Sequence, residues 1–188
     1  IAVSWDDANN EDYYIVGRRS SNDSFFSTLG IVGANQMKYT DTSVLPNVKY
    51  VYQLTATNSG GNSSQVESLV VIIDTLPPSA VVNLNAVVAG ESVVLSWHAS
   101  SDNVGVAGYD IRYSSKESIT EGNFLQVQRV VFSGAPKNPG EREEITISNL
   151  SEGINYLAVK ARDAAGNLSG ISVTSVRAPI KIASVAFI

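Results

Sequence analysis

His98 is the only histidine in a chain that contains no cysteine, so a catalytic base, a thiolate nucleophile or a zinc site has few groups to draw on. A serine nucleophile needs an imidazole at hydrogen-bond distance and, in many hydrolases, a strained Gly-x-Ser-x-Gly turn to present it. That turn is absent. His98 follows Trp97 at the end of an alternating apolar run, where an exposed strand-end side chain is expected. Zinc would be left with one imidazole and carboxylates, which is not its usual ligand set. Carboxylates cluster as Asp6, Asp7, Glu11 and Asp12, and again as Glu141, Glu143 and Glu144. The first group, with Asn9, has the oxygen content of a calcium loop but not the Asp-x-Asp-x-Asp-Gly order, so solvated loop acidity is the expectation. A glycosidase needs two carboxyls facing each other across a cleft. No catalysis, no cofactor and no metal are expected.

Surface recognition is the chemistry that remains. Phe25 and Phe26 are adjacent, so strand alternation exposes one of them, and the segment 133–142 carries Pro136, Pro139 and Gly140. Phe25, Phe26, Pro136 and Pro139 are the candidate contacts for a glycan or protein partner. Asn22, Asn62, Asn149 and Asn167 each open an Asn-x-Ser sequon, which matters only in a eukaryotic secretory host. A net charge of −5 without a clustered basic face argues against a nucleic-acid partner, because a phosphate backbone is held by several cations aimed at one polyanion. No apolar run reaches the 18 residues or so of a membrane-spanning helix, so no membrane insertion is expected.

Such residues must be carried on strands. The apolar set leans on Val, Ile and Tyr, which favour extended structure, and the sequence repeats itself. Leu45, Tyr52, Leu54, Ala56, Asn58, Gly61, Asn62 and Ser64 return 105 positions later as Leu150, Leu157, Val159, Ala161, Asp163, Gly166, Asn167 and Ser169. Ser4-Trp5 returns as Ser96-Trp97, and Tyr14 as Tyr109, at offsets of 92 and 95. The second copy therefore has three more residues between its Trp and Tyr strands, and ten more between the Tyr strand and Leu150.

Period-two alternation predicts strands over 1–5, 13–19, 25–31, 37–41, 49–58 and 64–73 in the first copy. In the second it predicts strands over 81–88, 92–98, 109–115, 125–132, 143–148, 154–163 and 169–177. Gly60-Gly61-Asn62 and Ala165-Gly166-Asn167 supply hairpin tips. Pro77-Pro78 fixes φ and removes two amide donors, which marks a boundary between two domains. The only helical hint is Ser118-Ile119-Thr120-Glu121, a capping-box pattern for a single turn.

The pattern resembles the fibronectin type III family over essentially the whole chain. The resemblance rests on the strand B tryptophans Trp5 and Trp97, the strand C tyrosines Tyr14 and Tyr109, and the strand F to G runs from Tyr52 to Ser64 and from Val159 to Ser169. It implies an all-β fold of two tandem immunoglobulin-like β-sandwiches: residues 1–74 as a module lacking strand A, 75–178 as a complete module, and 179–188 as a tail or the start of a following domain. The second copy is also similar to the variety attached to secreted bacterial hydrolases and proteases and to the C-terminal module of calcium-activated chloride channel regulators, on the strength of Thr75-Leu76-Pro77-Pro78, the 101–106 loop and the Asp163 to Asn167 tip. That resemblance implies an extracellular or cell-surface setting. Tyr50 occupies the family's tyrosine-corner position, whereas Asn155 stands at the equivalent place in copy two, with Tyr156 as a substitute through a local bulge. Arg-Gly-Asp is absent, so no integrin-type motif carries over.

The functional expectation is a non-catalytic spacer or display module of a larger secreted or cell-surface protein, from which this chain reads as an excised fragment, with neighbouring domains as its first partners. A recognition module for glycan or protein is the alternative. A third reading makes residues 180–188 a donor strand for the open edge of another copy, and so a subunit of a strand-complemented assembly.

Overall fold

A computed structural model of the protein describes residues 1–178. The proposed donor strand at 180–188 lies outside the described residues. The chain is all-β, with two tandem immunoglobulin-like sandwiches, and divides into one compact unit at Ile1–Thr75 and a second that begins at Leu76.

The first unit contains β1 (Ala2–Ser4), β2 (Tyr13–Ser20), β3 (Ser27–Gly33), β4 (Lys38–Thr40), β5 (Tyr50–Asn58), β6 (Gly61–Asn62) and β7 (Val66–Glu67). One sheet is the pair β1-β4; the other runs β3-β2-β5-β6, with β7 also on β5. Alternation sorts the strands as the sequence predicts. Tyr14 and Val16 on β2 face inward with Val32 on β3, and Trp5, Ala8, Tyr39, Leu54 and Ala56 close around them. The predicted strand over 64–73 is reduced to β7 and a bridge between Tyr50 and Val71, with β6 lying just ahead of it. Serine hydroxyls interrupt the ladder: Ser63 Oγ accepts the Ala56 amide and Ser68 Oγ the Tyr52 amide, each at 3.0 Å, where a strand carbonyl would otherwise serve.

The second unit contains β8 (Val82–Ala89), β9 (Ser92–His98), β10 (Val106–Ser114), a 3₁₀ turn (Phe124–Gln126), β11 (Gln128–Val130), β12 (Arg142–Ile147), β13 (Gly153–Asp163) and β14 (Ser172–Ala178). Its sheets are β12-β9-β8 and β11-β10-β13-β14. Trp97, Tyr109 and Phe132 meet edge to face at 5.0 to 5.7 Å, and Leu95, Ile111, Leu157, Val159 and Ala161 complete a fully buried core. Burial of such side chains is the main stabilising term, roughly 1.5–3 kcal/mol for each large apolar residue.

The capping-box residues do not start the turn. Glu121 instead accepts the Ile171 amide at 2.9 Å and pairs with Lys160, and the turn begins after Asn123. Most of the extra length in copy two lies here. Residues 115–127 form a flap that lays Ile119 and Phe124 on Ala158, with Val127, Tyr156 and Ile171 around them. That contact is on the outer face of β13, so Leu157, Ala158, Val159, Lys160 and Ala161 are all buried in succession.

Candidate functional site

His98 is half-buried rather than fully exposed, and its Nδ1 lies 3.2 Å from the Asn83 amide nitrogen. Asn83 sits at φ +55 inside β8, at the register shift between β8 and β9, so the imidazole secures an irregular strand. The acidic groups are spent on local structure as well. Tyr14 donates its phenol proton to Asp7 at 2.9 Å while accepting the Ala8 amide at 2.8 Å, and Glu11 accepts the Asn35 amide. Glu141 accepts the Asn138 amide and Glu143 the Lys137 amide, which shapes the loop that carries Pro136 and Pro139. Asp6, Asp7 and Glu11 do not bring their oxygens together as a ligand set, nor do Glu141, Glu143 and Glu144.

The candidate contact residues divide by unit. Phe25 is 83% exposed. Phe26 is half-buried, with the Arg19 guanidinium 5.1 Å from its ring centroid. Phe26 forms one wall of a shallow trough of about 580 Å³ on the outer face of β3-β2-β5, shared with Ile15, Thr28, Gln53, Thr55 and Gln65. In the second unit Pro136 is half-buried and Pro139 exposed. Unit one thus offers one aromatic wall facing side-chain amides and hydroxyls. In unit two the flap covers the corresponding sheet face.

Beneath the flap the charges are arranged around an aromatic ring. The Arg112 guanidinium lies 5.5 Å from the Phe124 centroid and the Lys160 ammonium 5.1 Å from it. Asp110 holds Arg112 through two bonds of 2.7 and 3.0 Å, and Glu121 pairs with Lys160. That cation, together with the Ile171 amide, holds the Glu121 carboxyl below its usual range. Each cation therefore has a carboxylate partner and an aromatic face, an arrangement that fixes the flap.

A polar cluster of four side chains lies in the first unit. Asp41 is 3% exposed. Its carboxylate accepts Arg18 at 2.6 Å, the Tyr52 hydroxyl at 2.8 Å, and the amide and hydroxyl of Ser43 at 2.9 and 2.8 Å. Burial pushes the Asp41 carboxyl up, but these donors outweigh it and lower it to about 2. Burial and then the neighbouring carboxylate push the Tyr52 phenol up. Two sequence signals point here: Asp41-Thr42-Ser43 is an Asx-turn pattern, and Arg18 falls on the inward phase set by Tyr14 and Val16.

Asp163 closes the last hairpin. It is fully buried and accepts the Asn167 amide at 2.9 Å and the Asn167 side chain at 2.7 Å. Burial raises its carboxyl, and the Asn167 donors bring it below the ordinary range. The two corner positions also differ. Tyr50 Oη accepts the Leu45 amide at 3.1 Å, whereas in unit two Asn155, fully buried, donates to the carbonyls of Ser151 and Gly153 at 2.7 and 3.1 Å. Asn155 thus ties the corner itself, and Tyr156 packs under the flap.

Comparison with known proteins agrees with this architecture. A family model described as fibronectin type III domain matches residues 77–175, more than half of the chain. Chitinase A1 of Niallia circulans is 28% identical over 181 residues, covering 92% of this chain and 22% of the chitinase. Chitinase Chi52 of Paenibacillus xylanexedens is 34% identical over 103 residues, 54% of this chain and 16% of its own length. Exoglucanase B of Cellulomonas fimi is 26% identical over 186 residues, 92% of this chain and 15% of the enzyme. The chain spans about a fifth or less of each of these relatives. Among solved structures, the crystal structure of chicken CNTN1 FN1-FN3 domains superposes with a TM-score of 0.57 at 19% identity, over 94% of this chain and 61% of that one.

Proposed function

The chain belongs to the fibronectin type III domain family, and from that premise we propose that it is a non-catalytic spacer or display segment of a larger extracellular protein that acts on a polysaccharide. The carrying observation is that the interior between the sheets of the second unit is filled by Trp97, Tyr109 and Phe132, while the carboxylates described above are bonded into their own loops. Catalysis needs convergent titratable groups in a cleft that admits substrate. The named relatives are a chitinase, a second chitinase and an exoglucanase, of each of which this chain matches a small part, which supports a module beside a catalytic domain. In this reading residues 1–74 and 75–178 are two modules in tandem. Neighbouring domains of the parent are its partners, and the net charge of −5 speaks against nucleic acid. The test is direct: the isolated protein, incubated with chitin, cellulose and starch, releases no reducing ends. Sustained release that scales with protein concentration overturns the proposal.

A second reading is favoured by the trough at Phe26. An aromatic ring offers a surface for the C–H face of a sugar, and the amides and hydroxyls of Gln53, Gln65 and Thr28 match its hydroxyl groups. Titration calorimetry with chitohexaose and cellohexaose tests it. Saturable binding lost in Phe26→Ala and kept in Pro139→Ala supports glycan recognition at the first unit, and heat that never saturates excludes it.

A further inference from the structure

The two units carry different side chains at equivalent positions of one sheet face. In the frame that aligns Tyr14 with Tyr109 and Tyr52 with Leu157, Ile15, Gly17, Gln53 and Thr55 correspond to Asp110, Arg112, Ala158 and Lys160. The cross-strand pairs agree: Ile15 stands opposite Thr55 and Gly17 opposite Gln53, as Asp110 does to Lys160 and Arg112 to Ala158. Unit two fills this face, with Arg112 and Lys160 each paired to a carboxylate and set against Phe124. Unit one has no side chain at the place of Arg112. A β-carbon at Gly17 would lie 3.6 Å from the Phe26 β-carbon and 3.8 Å from that of Gln53. The trough of about 580 Å³ therefore runs between an aromatic wall and a carboxamide wall, with Gly17 and Thr55 in its floor.

The polarity of the trough is selective. No ionised side chain lines it among the described residues, and Arg19, stacked on Phe26, has Glu67 at 4.0 Å. A charged ligand would be desolvated there without a counter-ion, which favours a neutral one. On the carboxamide wall Gln53 Nε2 donates to Gln65 Oε1 at 3.1 Å. That bond leaves one acceptor, Gln53 Oε1, and one donor, Gln65 Nε2, available to a ligand. A sugar hydroxyl both donates and accepts, so it distinguishes neither end. An acetamido group presents one carbonyl acceptor and one N–H donor, the complement of the two, and its methyl group can leave water against Phe26 and Ile15.

We propose that the trough recognises the acetamido group of an N-acetylated sugar, so that its ligand is a neutral chain of 2-acetamido sugars rather than an unsubstituted glucan. The proposal rests on the glycan reading of the trough and adds to it the group that is read. Phe26 supplies the stacking surface, which any pyranose can use. Gln53 and Gln65 supply the discrimination, because a ligand without the amide leaves their free acceptor and donor to water or to hydroxyls alone. The equivalent face of unit two has Ala158 in place of Gln53 and lies under the flap, so the site belongs to unit one.

Titration calorimetry of the full chain compares chitohexaose, its fully deacetylated counterpart and cellohexaose. Chitohexaose is expected to bind about tenfold tighter than either of the others. In nitrogen-15 spectra it should shift the side-chain amide resonances of Gln53 and Gln65 and leave the Trp97 indole unmoved. Gln65→Leu, at an exposed position, should abolish the preference. Gly17→Leu, which adds a side chain at the floor of the trough, should weaken binding of chitohexaose, and the two indole resonances report that each variant is folded. Equal affinity for the three chains, lost in Phe26→Ala, overturns acetamido recognition while the glycan reading stands. Saturable binding of none of them overturns both. Tightest binding of the deacetylated chain, whose ammonium groups would answer the net charge of −5, overturns the proposal as well.

Discussion

Arg18, half-buried, and Asp41, buried, form an ion pair at 2.6 Å at the place where the second unit is apolar. The registers of β1 with β4 and of β9 with β12 make Ile147 the counterpart of Asp41, and the same frame pairs Arg18 with Tyr113 and Tyr52 with Leu157. One fold thus closes the same end of its core in two ways. A buried pair is expensive to break and often cheap to replace as a whole. Asp41→Ile alone should therefore destabilise the first unit by about 3–5 kcal/mol. The triple replacement Arg18→Tyr, Asp41→Ile, Tyr52→Leu should bring it to within about 1 kcal/mol of the parent. The two indole resonances, one per unit, followed through a urea titration separate the effects.

The same pair sets an acid limb. The Asp41 carboxyl titrates at about 2 in the folded protein against an ordinary 3.8, so its contribution is complete above about pH 4 and disappears as pH falls toward 2. The loss is about 2 kcal/mol. Urea midpoints for the Trp5 resonance should fall over that window in the parent and fall less in the triple variant.

The corner residues make unequal contributions. Tyr50→Phe removes one acceptor, the partner of the Leu45 amide, and should cost the first unit about 1 kcal/mol. Asn155→Ala strands two carbonyls in a buried corner and should cost the second unit about 2 kcal/mol. Thermal unfolding monitored at each indole gives both values, and a larger loss for Tyr50→Phe would contradict the assignment.

Flap removal tests whether the outer face of β13 depends on its cover. Phe124→Ala should cost about 3–5 kcal/mol and accelerate exchange of the Ala158 and Lys160 amides. Glu121→Gln, with that side chain 59% exposed, should cost under about 1 kcal/mol.

Quenching of fluorescence reports the unequal burial of the two indoles. Trp97 is 1% exposed and Trp5 half-buried, so acrylamide should quench one component readily and leave a protected one. Trp5→Phe should remove the quenchable component.

Much of this was legible from the residues. Period two and the offsets of 92, 95 and 105 located the strands and the two Trp–Tyr pairs, because inward alternation is a strict geometric consequence of the pleat. Three features were not. The break of the 64–73 strand depends on the Ser63 and Ser68 hydroxyl oxygens accepting the Ala56 and Tyr52 amides in the ladder, and serine carries no phase signal. The flap has no periodicity, since Ile119 and Phe124 are buried through a loop. Asp41 reads as a strand-end carboxylate until Arg18 and Tyr52, far away in sequence, close on it. The candidate contacts Phe25, Phe26, Pro136 and Pro139 could be named from their types, yet their surroundings came only from the fold.

The flap over β13 also sets where new surfaces can be engineered in this chain. With Phe124 and Ile119 seated on it, the outer face of the second unit behaves as interior, and a library at Ala158 or Lys160 would select for folding before anything else. The matching face of the first unit leaves Thr28, Gln53 and Gln65 outside the core. Substitutions at those three positions can vary in shape and charge while the sandwich beneath stays the same, which makes that sheet the natural canvas for directed evolution of a binder.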